Sequence, residues 1–312
     1  MIDARWLIGA AFMACATPAS AETLKINTAE PAAANVVDLI RISVERFAGE
    51  DGAALAQALE AELADASFRG DPFYHVVAPE AGTPTDALIT GTVRSSVEEV
   101  PVIEKRKRCT EYDVADKKKC LKEIVVDMRC RRRTASVATT VRLVAIADGS
   151  IRYTRPLNAR EQLIYCPDRS APESVEDYFA ATIRSQVRAI RSDLAPRDLA
   201  LDVRVDESTK GLTKAAQAAF KAAVRLTKTD PYGACAAWQA LTPDVEPTAA
   251  LAFNLGLCEE MQGDLDSAVI WYSDAQRQGL RNRAVPDALA RIASLQRALT
   301  EWTARQAAYG SE

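Results

Sequence analysis

The apolar pattern of this chain changes character near residue 213. Up to about residue 205 short runs with period two are interleaved with two helical stripes, and beyond about 213 the sequence is Ala-rich and at helical spacing throughout. Such a chain has to build two kinds of packing, a sheet that buries one side of its strands and helices that bury a stripe against one another. Its 312 residues suffice for two domains of ~100–200 residues each. We therefore expect an α+β protein: a mixed α/β sandwich with long β-hairpins over 22–207, then an all-α helical repeat domain over 208–312.

Within the first part, residues 37–44 place Ile40, Ile42 and Val44 on one side and predict a strand. Glycines 49 and 52 end it, and Leu55, Leu59 and Leu63 at four-residue spacing predict a helix over 53–66. Residues 74–78 and 86–93 are short and β-rich, separated by a turn at 82–84. Strands follow over 124–128, 135–147 and 151–154, the last two joined at Asp148-Gly149, a strong hairpin signal. Ser174 caps a predicted helix over 176–194, residues 199–205 alternate and should return to the sheet, and 206–212 make a linker.

The amino terminus carries Arg5, an apolar run from Trp6 to Ala16, and the small-residue site Ala19-Ser20-Ala21. That pattern predicts an export signal cleaved after Ala21. The run is short of the ~18–20 residues that cross a bilayer. Lipidation at Cys15 is the alternative, although the residues before it lack the Leu usual in bacterial lipoproteins. No other stretch is apolar enough to span, so the processed chain should have no transmembrane segment and reside in the periplasm, with outer-membrane association as a further option.

Six cysteines remain beyond the signal: Cys109, Cys120, Cys130, Cys166, Cys235 and Cys258. An even number in an exported chain points to disulfides, though many connectivities are open. Pairing within the two clusters is simplest, which suggests Cys109–Cys120, Cys130–Cys166 and Cys235–Cys258. The spacings contain no zinc knuckle.

In the helical part, comparison at an offset of 34 residues matches Ala222 with Gly256, Ala234 with Ala268, and Trp238 with Tyr272. Leu255, Gly256, Ala268, Tyr272 and Ala275 resemble the tetratricopeptide pattern, with Ala252 and Glu259 departing from it, and residues 286–308 would supply a third first-helix and a cap. The resemblance implies stacked helix pairs whose concave face holds another envelope protein or a peptide segment. Asn254, Leu257 and Met261, on the first helix of the better copy, are the candidate partner residues. Gly263-Asp264-Leu265-Asp266 lacks the later ligands of a calcium loop and reads as a turn between helices.

Residues 40–52, the helix at 55–63, the 86–93 strand ending near Gly91 and the 141–153 hairpin resemble the domain shared by curli-secretion lipoproteins, lipoprotein activators of penicillin-binding proteins and the TolB amino-terminal domain. The likeness covers roughly 36–206. It implies an α/β sandwich used in envelope assembly, with no catalytic residue to carry over. This chain is expected to depart in starting, once processed, at Glu22 rather than at a lipidated Cys, and its 104–133 segment is heavily charged, which speaks against a pore-forming hairpin.

Catalytic signatures are scarce. The chain has one histidine, His75, in an apolar context that suits a structural role, which removes His-dependent triads and multi-histidine metal sites. Glu98 and Glu99 are adjacent in a strand and so face opposite ways. No cofactor is implied. The net charge of −4 conceals an asymmetry: residues 22–103 hold 14 acids and 5 bases, whereas 104–133 hold 12 bases and 6 acids. The basic segment contains Lys105, Arg106, Lys107, Arg108, Lys117, Lys118, Lys119, Arg131, Arg132 and Arg133. It reads as a solvated hairpin tip or as a patch for an anionic envelope component. Export argues against nucleic acid, and only Tyr112 offers a stacking platform there. The function expected is a non-enzymatic interaction or assembly factor of the cell envelope. The alternatives are an unrecognised hydrolase of an envelope polymer and an accessory to an outer-membrane secretion assembly.

Overall fold

The computed structural model describes residues 22–78, 83–168, 173–243 and 245–309. The expected export signal and its cleavage site at Ala21, with Cys15, lie outside the described residues. The fold is α+β, with seven helices and a five-stranded mixed sheet among the described residues. It divides into two compact units that do not follow a single cut near 207. Residues 22–27 and 200–292 make one, and residues 28–199 and 293–309 make the other.

The second of these is the sheet unit. Its strands are β2 (Arg41–Val44), the two-residue pieces β3 (Ser67–Phe68), β4 (Asp71–Pro72) and β5 (His75–Val76), and the long β6 (Ala87–Tyr112), β7 (Cys120–Ala145) and β8 (Ile151–Tyr165). The sheet runs β5-β2-β6-β7-β8, with β2 parallel to both neighbours and β6, β7 and β8 antiparallel. Helices α1 (Gly52–Ala64) and α2 (Val175–Leu194) pack on one face of it. The stripe of Leu55, Leu59 and Leu63 is wholly buried, as are Ile42, Ile89, Val93, Val137, Val141 and Leu143 on the sheet and Ile190 and Leu194 on α2. Ser174 caps α2 by accepting the Asp177 N–H at 3.0 Å. Gly91 is held by close approach, because a Cβ there would lie 2.1 Å from the Thr140 carbonyl oxygen and 2.8 Å from the Phe47 ring.

The helical unit contains α3 (Lys214–Leu226), α4 (Pro231–Gln239), α5 (Ala249–Gln262) and α6 (Leu265–Arg277), with a long α7 (Ala284–Tyr309) beginning in it. Its core gathers Phe220, Trp238, Leu251, Phe253, Leu255, Leu257 and Tyr272, together with Leu24 and Ile26 from the start of the described chain. The 34-residue correspondence holds in burial for Ala234 with Ala268 and for Trp238 with Tyr272. It fails at Ala222, which is exposed where Gly256 is buried.

Three strand expectations need correction. The run at 37–44 is a strand only from Arg41, because Ile40 and Arg41 give their N–H groups to the Asp86 carboxylate. Residues 199–205 do not return to the main sheet: β9 (Arg197–Arg204) pairs with β1 (Thr23–Glu30), an unforeseen strand. The separate β pieces between 86 and 147 are two continuous strands of 26 residues each.

Candidate functional site

The most distinctive construction in the sheet unit is the outer half of the β6–β7 hairpin. Strand β8 ends at Tyr165, opposite Arg131, so beyond Val102 and Cys130 the hairpin continues as two strands alone. At about 3.4 Å per residue this arm reaches roughly 30 Å past the end of β8. Two disulfides bracket it. Cys130–Cys166 ties its root to the end of β8, and Cys109–Cys120, eleven residues apart, closes its tip. The sequence reading paired these cysteines in the same way.

Register assigns the basic residues to faces. Lys105 pairs with Asp127, Lys107 with Val125 and Pro101 with Arg131, which places Lys105, Lys107, Arg129, Arg131 and Arg133 on one face. Arg106, Arg108 and Arg132 point to the other. The first face is the more open one and carries Ile103 at 70% and Val125 at 63% exposure among its cations. Lys107 meets Glu123 at 3.1 Å, and Arg131 meets Glu99 at 3.0 Å. The Tyr165 hydroxyl donates to the other Glu99 oxygen at 2.8 Å. This hydrogen bond, then Arg131, holds the Glu99 carboxyl below its ordinary range.

Arg133 has a different role. It is buried under the start of α2, where it donates to the Glu173 carbonyl at 2.7 Å and lies 3.8 Å from Glu161. It therefore leaves the surface patch. Arg106 is half-buried and reaches the Cys166 sulfur at 3.5 Å. Among the described residues Lys105, Arg108, Lys117, Lys118, Arg129 and Arg132 have no carboxylate at salt-bridge distance.

The tip is a built turn. The Asp113 N–H donates to the Lys119 carbonyl at 3.0 Å, and the Asp113 carboxylate accepts the N–H groups of Ala115 at 2.8 Å and Asp116 at 3.3 Å. Lys119 lies 3.6 Å from the same carboxylate, and Asp116 accepts the Lys118 N–H at 3.0 Å. The two backbone donors lower the Asp113 carboxyl below its usual range. Sequence reasoning named the lysines of this turn but missed Val114. The signal was one aliphatic residue inside a run of turn-forming and charged residues.

The helical-unit candidates need correction. Asn254 is fully buried, accepting the Asp206 N–H at 2.8 Å and donating to the Asp206 carbonyl at 2.9 Å. Leu257 is equally buried in the core, and Met261 is half-buried. The first two therefore have no surface for a partner, because a side chain on the inner stripe of α5 is consumed by packing. Cys235 on α4 and Cys258 on α5 are joined by a disulfide. A cleft of about 510 Å³ in this unit is lined by Asp206, Ser208, Lys210, Thr248 and Gln278.

His75 is exposed rather than packed in an apolar strand, and it lines a cleft of about 280 Å³ with Asp71, Trp302 and Arg305. No group of three or more His, Cys, Asp or Glu among the described residues is placed to hold a metal ion, and no described helix is long and apolar enough to cross a membrane.

No protein-family model matches the chain, and no curated protein matches it. Among solved structures it is similar to a single-substitution variant of the PelC dodecamer from Paraburkholderia phytofirmans, with 14% identity over 55% of this chain and 97% of that one and a TM-score of 0.26. A second PelC dodecamer structure from that organism gives 11% identity over 56% and 99%, with a TM-score of 0.27. A PDZ domain protein from Parabacteroides distasonis gives 10% identity over 68% of this chain and 55% of that one, with a TM-score of 0.23. Scores of this size do not establish a shared fold.

Proposed function

We propose that this chain works after export as a non-enzymatic interaction or assembly factor of a bacterial cell envelope, with the β6–β7 arm as its contact element. The observation that carries the reading is the arm itself: two strands that bury no core, bear a cationic and partly apolar face, and are fixed at root and tip by disulfides. A hairpin maintained without a core contribution is economically explained by what it touches. Three disulfides suit an oxidising compartment such as the periplasm. The helices of the other unit are read as tetratricopeptide-like, supported by the buried Trp238–Tyr272 correspondence and the Gly263 turn between α5 and α6. With Asn254 and Leu257 buried, a protein partner of that unit would use its outer helical surfaces. The likeness to the curli-secretion and TolB amino-terminal domains supports an envelope role for the sheet unit.

The deciding experiment is affinity capture from envelope extracts with the oxidised protein, beside a variant carrying Lys105→Glu and Lys107→Glu. A stoichiometric envelope component retained by the first and lost by the second is the expected outcome. Turnover of cell-wall fragments by the pure protein would overturn the non-enzymatic reading.

A further inference from the structure

We infer that the tip of the β6–β7 arm seats in an anionic lipid surface, with Val114 as an apolar wedge supported by Tyr112 and Leu121 and with Lys117 and Lys118 meeting the headgroups. The inference rests on the arm being the contact element and names its partner. Val114 is 97% exposed in the end loop of the hairpin, and Tyr112 and Leu121, on the strands that enter and leave that loop, are each about half exposed. A turn that only reverses the chain is served by Gly, Asn, Asp or Ser, so an exposed aliphatic side chain within it has no part in making the turn.

The charges around it are sorted. Of the three acids between Cys109 and Cys120, Asp113 is engaged by two N–H groups and Lys119 and Asp116 accepts the Lys118 N–H, while Glu111 is exposed. Lys117 and Lys118 keep their ammonium groups outward, with no carboxylate at salt-bridge distance among the described residues. The cations free of carboxylate partners at this end of the arm are thus Lys117 and Lys118, with Arg108 close behind on the same ribbon, beside an apolar point. That combination matches an anionic headgroup layer over an acyl layer, where each cation near the surface and each buried apolar side chain adds independently. Tyr112, apolar along its ring and polar at its end, suits the boundary between the two.

Two features of the arm make such contact feasible in an acidic protein. Its reach of about 30 Å exceeds the screening length of about 8 Å at physiological salt, so the carboxylates near the root of the same sheet barely oppose the approach of the tip. The Cys109–Cys120 bond orders the tip beforehand, which reduces the ordering cost on binding. An acidic protein face would also match the lysines, but it gives no reason for an almost fully exposed Val in the end loop.

Flotation of the oxidised protein with phosphatidylglycerol–phosphatidylethanolamine vesicles, against phosphatidylcholine vesicles, tests the inference. Binding is expected to the anionic vesicles alone and to weaken with added salt. Lys117→Gln with Lys118→Gln should weaken it about 30-fold, and Val114→Asn, which keeps the charge, about tenfold. In Val114→Trp, the added indole emission should shift to the blue on mixing with anionic vesicles only. Unchanged melting temperatures would show that the variants remain folded. Absence of binding to the anionic vesicles overturns the inference, as does binding that Val114→Asn leaves intact. Capture of an envelope protein through Lys117 and Lys118 without vesicle binding would sink the lipid assignment and leave the interaction reading standing, whereas loss of both would sink both.

Discussion

A methyl group on residue 256 would sit 2.7 Å from two carbons of the Tyr272 ring. Alanine is the better helix former by about 1 kcal/mol, so the outcome of Gly256→Ala depends on whether that ring can yield. It is held: its hydroxyl donates to Glu260 at 2.6 Å, and Glu260 takes both arms of the Arg291 fork at 2.6 Å. Overpacking against a fixed ring should therefore win, and we expect a net destabilisation of about 1–2 kcal/mol by urea titration. A gain in stability would mean that the ring moves freely. Asp113 gives a second test. Its folded carboxyl lies below the ordinary value, so its contribution is fully present above the unfolded value near ~3.9 and is lost as pH falls through the folded one. The Ala115 amide resonance should therefore move at a lower pH than free aspartate titrates. Such residue-level roles were only partly legible in the sequence. The helix position of Asn254 suits a groove, and nothing local in the sequence shows that the Asp206 backbone, 48 residues away, takes both ends of its amide.

At the scale of elements, legibility followed burial. Helix α1 was legible because Leu55, Leu59 and Leu63 all face the core, and α2 because Ser174 supplies a cap ahead of an apolar stripe. The arm was legible as a basic hairpin closed by Cys109–Cys120 but not in its length, because a two-stranded ribbon with solvent on both sides imposes no sustained apolar alternation over residues 103–129. Strand β1 was missed for lack of a flanking turn signal, although Leu24 and Ile26 do alternate. Loss of the Ser174 hydroxyl in Ser174→Ala should cost about 1 kcal/mol, the usual value of an N-cap. Removing the tip disulfide by Cys109→Ser with Cys120→Ser has a different expected signature. The closed loop contributes no side chain to the core, so global melting should hardly change while tryptic cleavage at Lys117–Lys119 accelerates. A large fall in melting temperature would mean that the arm supports the sheet.

For the whole molecule, the sequence conveyed the change from strands to helices but not that the units are discontinuous in the chain. Residues 293–309 look like one more repeat helix by composition, yet they belong to the sheet unit, where Arg305 and Trp302 are taken up. Arg305 is buried with its guanidinium donating to the carbonyls of Val36, Val37, Leu39 and Phe73 while it stacks on Phe73 at 4.1 Å. Burial lowers its pKa, and no carboxylate pairs with it among the described residues, so the carbonyls hold the cation directly. Trp302, one turn earlier, meets the Phe68 and Phe73 rings at 5.6 and 6.1 Å. Arg305→Ala leaves buried carbonyls unsatisfied at about 1–3 kcal/mol each before relaxation, so the sheet unit should lose about 3 kcal/mol or more. Lysine cannot replace it, because a point ammonium has three donors and no planar fork to span these acceptors. Hydrogen exchange resolved by segment should show faster exchange in β2 and its partners, while the amides around the Cys235–Cys258 bond keep their protection. Uniform loss over both regions would contradict separate cores, and an unchanged β2 would show that the carbonyls find water or other donors once the arginine is gone.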